Sequence, residues 1–102
     1  MSLSLPSRSD AISEQIVRLY FDALGRGPTS ARTYVEPQFV VCVLRDVLPT
    51  TEAIDRRCVS IVEMQTGRSV LSHAAEFRSP VDIGVHFFLF DDATVARDGL
   101  RH

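Results

Sequence analysis

The chain changes from a helical to a strand pattern within LGRGPTSARTYVE, residues 24–36. Before this stretch, apolar residues recur at spacings of three and four, which predicts an amphipathic helix that starts near Ser9 or Asp10. Gly25 suits the left-handed position that ends a helix, and Pro28 prevents the helix from continuing. After the turn, ARTYVE places Thr, Tyr and Val in an alternating pattern, which predicts a strand.

The next apolar stretch, FVVCVLRDVL (39–48), predicts a second strand that pairs with ARTYVE as an antiparallel hairpin. It is almost continuously apolar, so we expect cover on both of its faces, or nearly so. Pro49 ends this strand. Thr50 or Thr51 then caps a second amphipathic helix, which stops at Gly67.

Two further strands complete the pattern. They are RSVLSHAAEF (68–77) and IGVHFFLF (83–90), joined by the turn RSPVD (78–82). The order α-β-β-α-β-β predicts an α+β fold, a two-layer sandwich with two helices on a four-stranded, largely antiparallel sheet. Because 39–44 and 85–90 are so apolar, we expect a second copy to cover the other sheet face in a homodimer.

The length of 102 residues fits one domain, which we place at 9–90 between a flexible leader (1–8) and a polar tail (91–102). The net charge of −2 supplies no positive field, so we expect no nucleic-acid partner. The N-terminus does not have the pattern of a signal peptide, and no apolar run approaches the roughly 20 residues of a membrane span. We therefore predict a cytoplasmic protein without direct membrane insertion.

The GRGPT turn admits two interpretations. In the first, it only ends the helix and begins the strand. In the second, Arg26 and Arg32 converge on an anion or on a carboxylate of a partner. The turn is not a phosphate-binding P-loop, because no GK[ST] follows and it precedes a strand rather than a helix. The residues alone favour the first interpretation.

His73 and His86 lie on two strands that we expect to pair, and they could ligate a metal with Cys42 or Cys58. The spacing matches no zinc pattern, so a metal centre and an enzyme built on it are the least favoured alternative. Both cysteines fit the core, with an unperturbed or raised pKa and no reactivity. We expect no cofactor and no enzymatic activity.

Three stretches resemble a bacterial family of small domains known as MpsC-like. IVRLYFDALGRGPTSARTYVEPQFVVCVLRDVLP resembles the start of the family, IVEMQTGRSVLSH its second helix with a TGR-type turn, and PVDIGVHFFLF its last strand. The resemblance extends from Ile16 to Phe90. The segment TTEAIDRRCVSIVEMQ (51–66) is shorter than the corresponding helical stretch of typical members.

The resemblance implies a role beside the membrane subunits of a sodium-translocating, membrane-potential-generating system. It supplies no catalytic residues, because none is defined for the family. It singles out two turns and their flanking residues as candidate binding residues. They are Gly25, Arg26, Gly27, Pro28, Thr29, Arg32, Tyr34, Thr66, Gly67, Arg68 and Asp82.

We therefore predict a non-enzymatic accessory domain that binds protein. Its context would be a membrane ion-transport or inorganic-carbon-uptake assembly, with the domain peripheral to the membrane complex. The alternative is a regulatory domain that binds a small ligand or anion through Arg26, Arg32 and Arg68 at the two turns.

Overall fold

The computed structural model describes residues 7–91. Its elements run in the order α1 (Arg8–Leu24), β1 (Ser30–Val35), β2 (Phe39–Arg45), α2 (Glu52–Thr66), β3 (Val70–Arg78) and β4 (Ile83–Phe90). The strands form one sheet in the order β1-β2-β4-β3, and every neighbouring pair is antiparallel. The predicted α+β class and element order are confirmed. Most of the predicted leader (1–8) and polar tail (91–102) lies outside the described residues.

Hydroxyl side chains begin both helices. The Ser7 hydroxyl accepts a hydrogen bond from the Asp10 N–H at 3.1 Å, so α1 begins slightly earlier than predicted. The Thr51 hydroxyl accepts a hydrogen bond from the Ile54 N–H at 3.3 Å, which settles the choice between the two threonines before α2. Acidic residues in the first turn of each helix add to this stabilisation through the helix dipole.

Glycines end both helices, as the sequence predicts. Gly25 has a φ of 78° and Gly67 a φ of 70°, both in the left-handed region. Their N–H groups donate to the Phe21 carbonyl at 2.9 Å and to the Glu63 carbonyl at 2.8 Å. Each helix therefore stops where the backbone turns left-handed, which a residue with a side chain adopts only under strain.

The second strand is shorter than predicted and ends at Arg45. Asp46 has a φ of 57°, which breaks the extended backbone. The Thr29 hydroxyl donates to the Asp46 carboxylate, and the Val47 N–H donates to the Asp82 carbonyl at 3.3 Å. These bonds tie the start of β1, the end of β2 and the β3–β4 turn together at one end of the sheet.

The core lies between the two helices and one face of the sheet, which we call the inward face. Alternate residues of β2 and β4 point to this face, as the pleat of a strand requires. Tyr20 and Phe88 are among its largest fully buried side chains. The core consists of Ile12, Ile16, Leu19, Tyr20, Val40, Cys42, Leu44, Val47, Ile54, Cys58, Val62, Phe88 and Phe90.

The opposite face of the sheet has no second layer within residues 7–91. Phe39, Val41 and Val43 of β2 are only half-buried there, whereas the sequence predicted cover on both faces. Both helices pack on the inward face, so the neighbouring strands alone shield these three side chains within the described chain. The prediction of near-complete cover is therefore wrong for residues 7–91 of a single copy.

We expect Gly25→Ala to lower the free energy of unfolding by about 1 kcal/mol. The cause is backbone strain alone, since φ is 78° and nothing lies within 4 Å of an added Cβ. Gly25→Asn should lose less, because asparagine tolerates the left-handed region. Urea denaturation of both variants measures the difference. An alanine variant as stable as the wild type would contradict the strain argument.

Candidate functional site

The GRGPT turn is built largely by packing and backbone hydrogen bonds. An added Cβ at Gly27 would lie 2.6 Å from the Phe21 ring, so the chain passes this ring closely. Pro28 is buried, and the Thr29 N–H donates to the Arg45 carbonyl at 3.0 Å. These contacts, together with the Gly25 cap, account for four of the five turn residues as a helix stop and strand start.

Arginine side chains at the turn and on β1 are turned to the surface. Arg26 is exposed and has no hydrogen bond or ion pair with any of residues 7–91. Arg32 and Tyr34 project from the face of β1 opposite the helices. With Arg45 of β2 they line a cavity of about 330 Å³. Arg32 is thus grouped with Arg45, and no contact joins it to Arg26.

The TGR turn lies elsewhere and is held by its own contacts. The Thr66 hydroxyl donates to the Val62 carbonyl at 2.7 Å. Arg68 donates from Nη1 to the Pro37 carbonyl, and its guanidinium carbon lies 4.1 Å from the centre of the Phe90 ring. Its Nη2 is buried without a hydrogen-bond partner among the described residues. Arg68 therefore joins the TGR turn to the β1–β2 connection and to the end of β4.

The structure separates the two turns. The GRGPT turn precedes β1, whereas the Arg68 contact at Pro37 follows it. The six residues of β1 span roughly 20 Å. Asp82 lies at the GRGPT end, since its carbonyl bonds to Val47 in the segment that Thr29 also contacts through Asp46. The candidate turn residues thus form two groups at opposite ends of β1, with Arg32 and Tyr34 on the strand itself.

The face of the sheet opposite the helices is predominantly apolar. We call it the outward face, and it includes Tyr34, Phe39, Val41, Val43, Val85, Phe87 and Leu89. The Phe39 and Phe87 rings are in contact, with centroids 5.5 Å apart. Tyr34 is 47% exposed and Phe87 37% exposed. Sequence patterning predicted this face through the apolar runs of β2 and β4, although not its extent.

A polar network lies under the helices on the inward face. Tyr20 Oη lies 2.9 Å from His86 Nε2, and His86 Nδ1 lies 2.8 Å from His73 Nε2. The two imidazole rings stack with centroids 5.1 Å apart. Asp55 of α2 is adjacent, and one ligand-type atom from each of Asp55, His73 and His86 lies within 4.8 Å of the others. The Thr50 hydroxyl donates to Asp55 Oδ1 at 2.6 Å.

Burial disfavours the charged form of both imidazoles. Burial first, and the charge of His73 second, lower the pKa of His86 to about 4, while Asp55 acts in the opposite direction. Burial also lowers the pKa of His73. The pKa of the Tyr20 hydroxyl is raised, chiefly by burial, so this group stays protonated.

The sequence anticipated only part of this network. It placed His73 and His86 on paired strands, and the structure brings their rings together. In the sequence, Tyr20 belongs to the apolar stripe of α1, and Asp55 lies in the first turn of α2. No local signal marks either residue, because their partners are distant in sequence.

The cysteines are not part of the cluster. Cys42 and Cys58 are fully buried, and burial raises the pKa of their thiols to about 11 and about 12. Both thiols are therefore protonated at neutral pH and unreactive, as predicted. Within residues 7–91 the cluster of metal-ligating side chains holds Asp55 and the two histidines, without a thiol.

The family model described as "Na+-translocating membrane potential-generating system (MpsC)" matches residues 7–54. The resemblance to the MpsC-like family is therefore confirmed over residues 7–54. The matched residues include α1, the GRGPT turn and the β1–β2 hairpin, whereas the TGR turn and β3 and β4 lie beyond them. No curated protein and no solved structure matches the chain. None of the helices within residues 7–91 is long and apolar enough to cross a membrane.

We expect the free energy of unfolding to fall as the pH is lowered from about 6.5 towards 4. The unfolded chain binds a proton at His86 below about 6.5, whereas the folded chain binds it only near 4. The contribution of neutral His86 to the free energy of unfolding is fully present above about pH 6.5. It is lost as the pH falls towards 4, and the loss amounts to about 3 kcal/mol because each unit of pKa difference is worth 1.36 kcal/mol.

Urea denaturation of chelator-treated protein at a series of pH values measures this dependence. His102→Gln, which removes the histidine at the end of the chain, is the control and should leave the dependence unchanged. A free energy of unfolding that stays constant between pH 6.5 and about 4.5 would show that His86 is not held neutral by burial.

Proposed function

We propose that the chain is a non-enzymatic, cytoplasmic accessory domain that binds protein through its outward sheet face. The apolar outward face is the observation that carries this proposal. A second copy of the chain occupies the face in a homodimer. The homodimer then serves a membrane ion-transport or inorganic-carbon-uptake assembly. The description of the matching family, which names a Na+-translocating system, supports the ion-transport context.

The size of the outward face supports a second copy as its occupant. Four strands about 4.8 Å apart and about seven residues long cover roughly 450 Å² in flat projection. Packing two such faces together removes about 900 Å² of surface from solvent, without the additional area of the protruding side chains. This is close to the ~1,000 Å² of a specific interface. Aromatic and β-branched side chains dominate the centre of the face, as in stable protein interfaces.

The charges at the two sides of the face also suit self-association. Arg32 and Arg45 lie on the β1 side, and Glu76 lies on the β3 side beside Arg78 at 3.0 Å. A two-fold axis parallel to the strands brings the β1 side of one copy over the β3 side of the other. Arg32 then approaches the partner's Glu76, a favourable pairing at the rim.

Arg26 is the residue through which we propose that the homodimer contacts a membrane subunit. It is exposed and has no partner within residues 7–91, and the fold does not need its side chain. The other residues of the GRGPT turn are accounted for by packing and hydrogen bonds. An exposed guanidinium on a rigid turn is suited to a carboxylate or carbonyl of a partner.

We expect Phe87→Glu to convert the homodimer to a monomer at micromolar concentration, because a charge would be buried in an apolar interface. Light scattering coupled to gel filtration measures the mass. Met64→Glu is the matched control, since Met64 is 81% exposed on α2, in the other layer. A monomeric wild type, or equal dissociation by Met64→Glu, would refute the outward face as the dimer interface.

We expect the tagged wild-type protein to retain an integral membrane subunit from detergent-solubilised host membranes, and Arg26→Ala to lose it. Mass spectrometry identifies the captured subunit. Arg18→Ala is the matched control, because Arg18 is also exposed and has no partner within residues 7–91. Equal capture by all three proteins, or by none, would remove Arg26 from the proposal.

The cavity beside Arg32 favours a second candidate function. Arg32, Arg45 and Tyr34 line it, and two guanidinium groups could hold a small anion there. The domain would then be a regulatory module that responds to the anion. Stabilisation by inorganic phosphate that Arg45→Ala abolishes, in a protein that stays monomeric, would favour this function over dimerisation.

A further inference from the structure

The side-chain cluster between α2 and the β3–β4 hairpin has a composition that the proposed function does not use. We infer that Asp55, His73 and His86 form a binding site for a divalent first-row transition ion, with Zn²⁺ as the best match. The inference does not depend on the outward face or on Arg26. The three ligand atoms come from α2, β3 and β4, and they lie within 4.8 Å of one another.

The ligand types and their separation fit such an ion. Imidazole nitrogen and carboxylate oxygen bind Zn²⁺ at about 2.0–2.2 Å, so ligand atoms around one ion lie about 3.3 Å apart. His73 Nε2 and His86 Nδ1 face each other at 2.8 Å, and a carboxylate oxygen of Asp55 lies within 4.8 Å of a ligand-type nitrogen of each histidine. Small side-chain shifts therefore admit the ion. Two nitrogens and one oxygen favour Zn²⁺ over Ca²⁺ or Mg²⁺, which prefer oxygen alone.

Neighbouring groups orient two of the ligands. The Thr50 hydroxyl holds Asp55 Oδ1, which leaves Oδ2 free to bind an ion. Tyr20 Oη holds Nε2 of His86, so that Nδ1 is the nitrogen directed at His73. Outer hydrogen bonds of this kind fix ring orientation and tautomer at metal centres. The cluster thus has the second layer of contacts that a binding site requires.

The charge state of the cluster also favours a cation. Two facing lone pairs would repel each other, so one proton lies between the imidazole nitrogens in the metal-free protein. A metal ion can take the place of this proton, with the proton moving to the other nitrogen of the same ring. The Asp55 carboxylate supplies a negative charge, and Asp55 and His73 are only half-buried, which gives the ion a path from solvent.

Zinc titration of the untagged full-length chain tests the inference. We expect one equivalent of Zn²⁺ to bind the wild type by isothermal calorimetry and to raise its Tm. Asp55→Asn and His73→Gln, which keep the size and polarity of the side chain, should each weaken binding about tenfold or more. Bound Co²⁺ should absorb visible light but lack the charge-transfer band that thiolate ligands produce, because neither cysteine is a ligand.

Two control variants distinguish binding at this site from non-specific zinc binding. Glu52→Gln removes a second acid from the first turn of α2, outside the cluster, and should leave the affinity unchanged. His102→Gln removes the remaining histidine of the chain and should also have no effect. The inference is overturned if the wild type shows no saturable binding, if His102→Gln abolishes it, or if Asp55→Asn and His73→Gln bind like the wild type.

Discussion

The packing of two helices against the inward side chains of β2 and β4 is the constraint on which the rest of the structure depends. These two strands are the centre of the sheet, and their alternate residues supply much of the core. Once the inward face is fixed, the pleat determines what lies outside it. The same alternation that buries Cys42 and Phe88 leaves Val41 and Phe87 on the outward face. The core and the proposed binding surface are therefore two consequences of one register.

The sequence predicted the elements of this fold well, because their signals are local. Glycines at both helix ends and a threonine before α2 act within one turn of the chain. The end of β2 was missed because Asp46 adopts a left-handed backbone, stabilised by Thr29 of the GRGPT turn. The resemblance to the MpsC-like family grouped the two candidate turns. Only the path of β1 reveals that they lie at its opposite ends.

Sequence patterning predicted only part of the polar network. The paired strands brought the two histidines together as expected, but Tyr20 and Asp55 look like ordinary helix residues in the sequence. Their roles arise from helix packing across many intervening residues. The family match ends at Ile54, so of the network described here only Tyr20 and Thr50 lie within it. The matched segment therefore carries the GRGPT turn, and the side chains of the proposed metal site come from the remainder.

The strand order β1-β2-β4-β3 divides the chain into two halves of equal topology. Each half is a helix followed by a hairpin, and α1 packs on β1 as α2 packs on β3. Because β2 and β4 are antiparallel, an approximate two-fold axis perpendicular to the sheet passes between them. The monomer is thus assembled like a dimer of half-domains, with the β2–β4 seam as its interface. Two chains that exchanged halves across this seam would satisfy the same backbone hydrogen bonds as one chain alone.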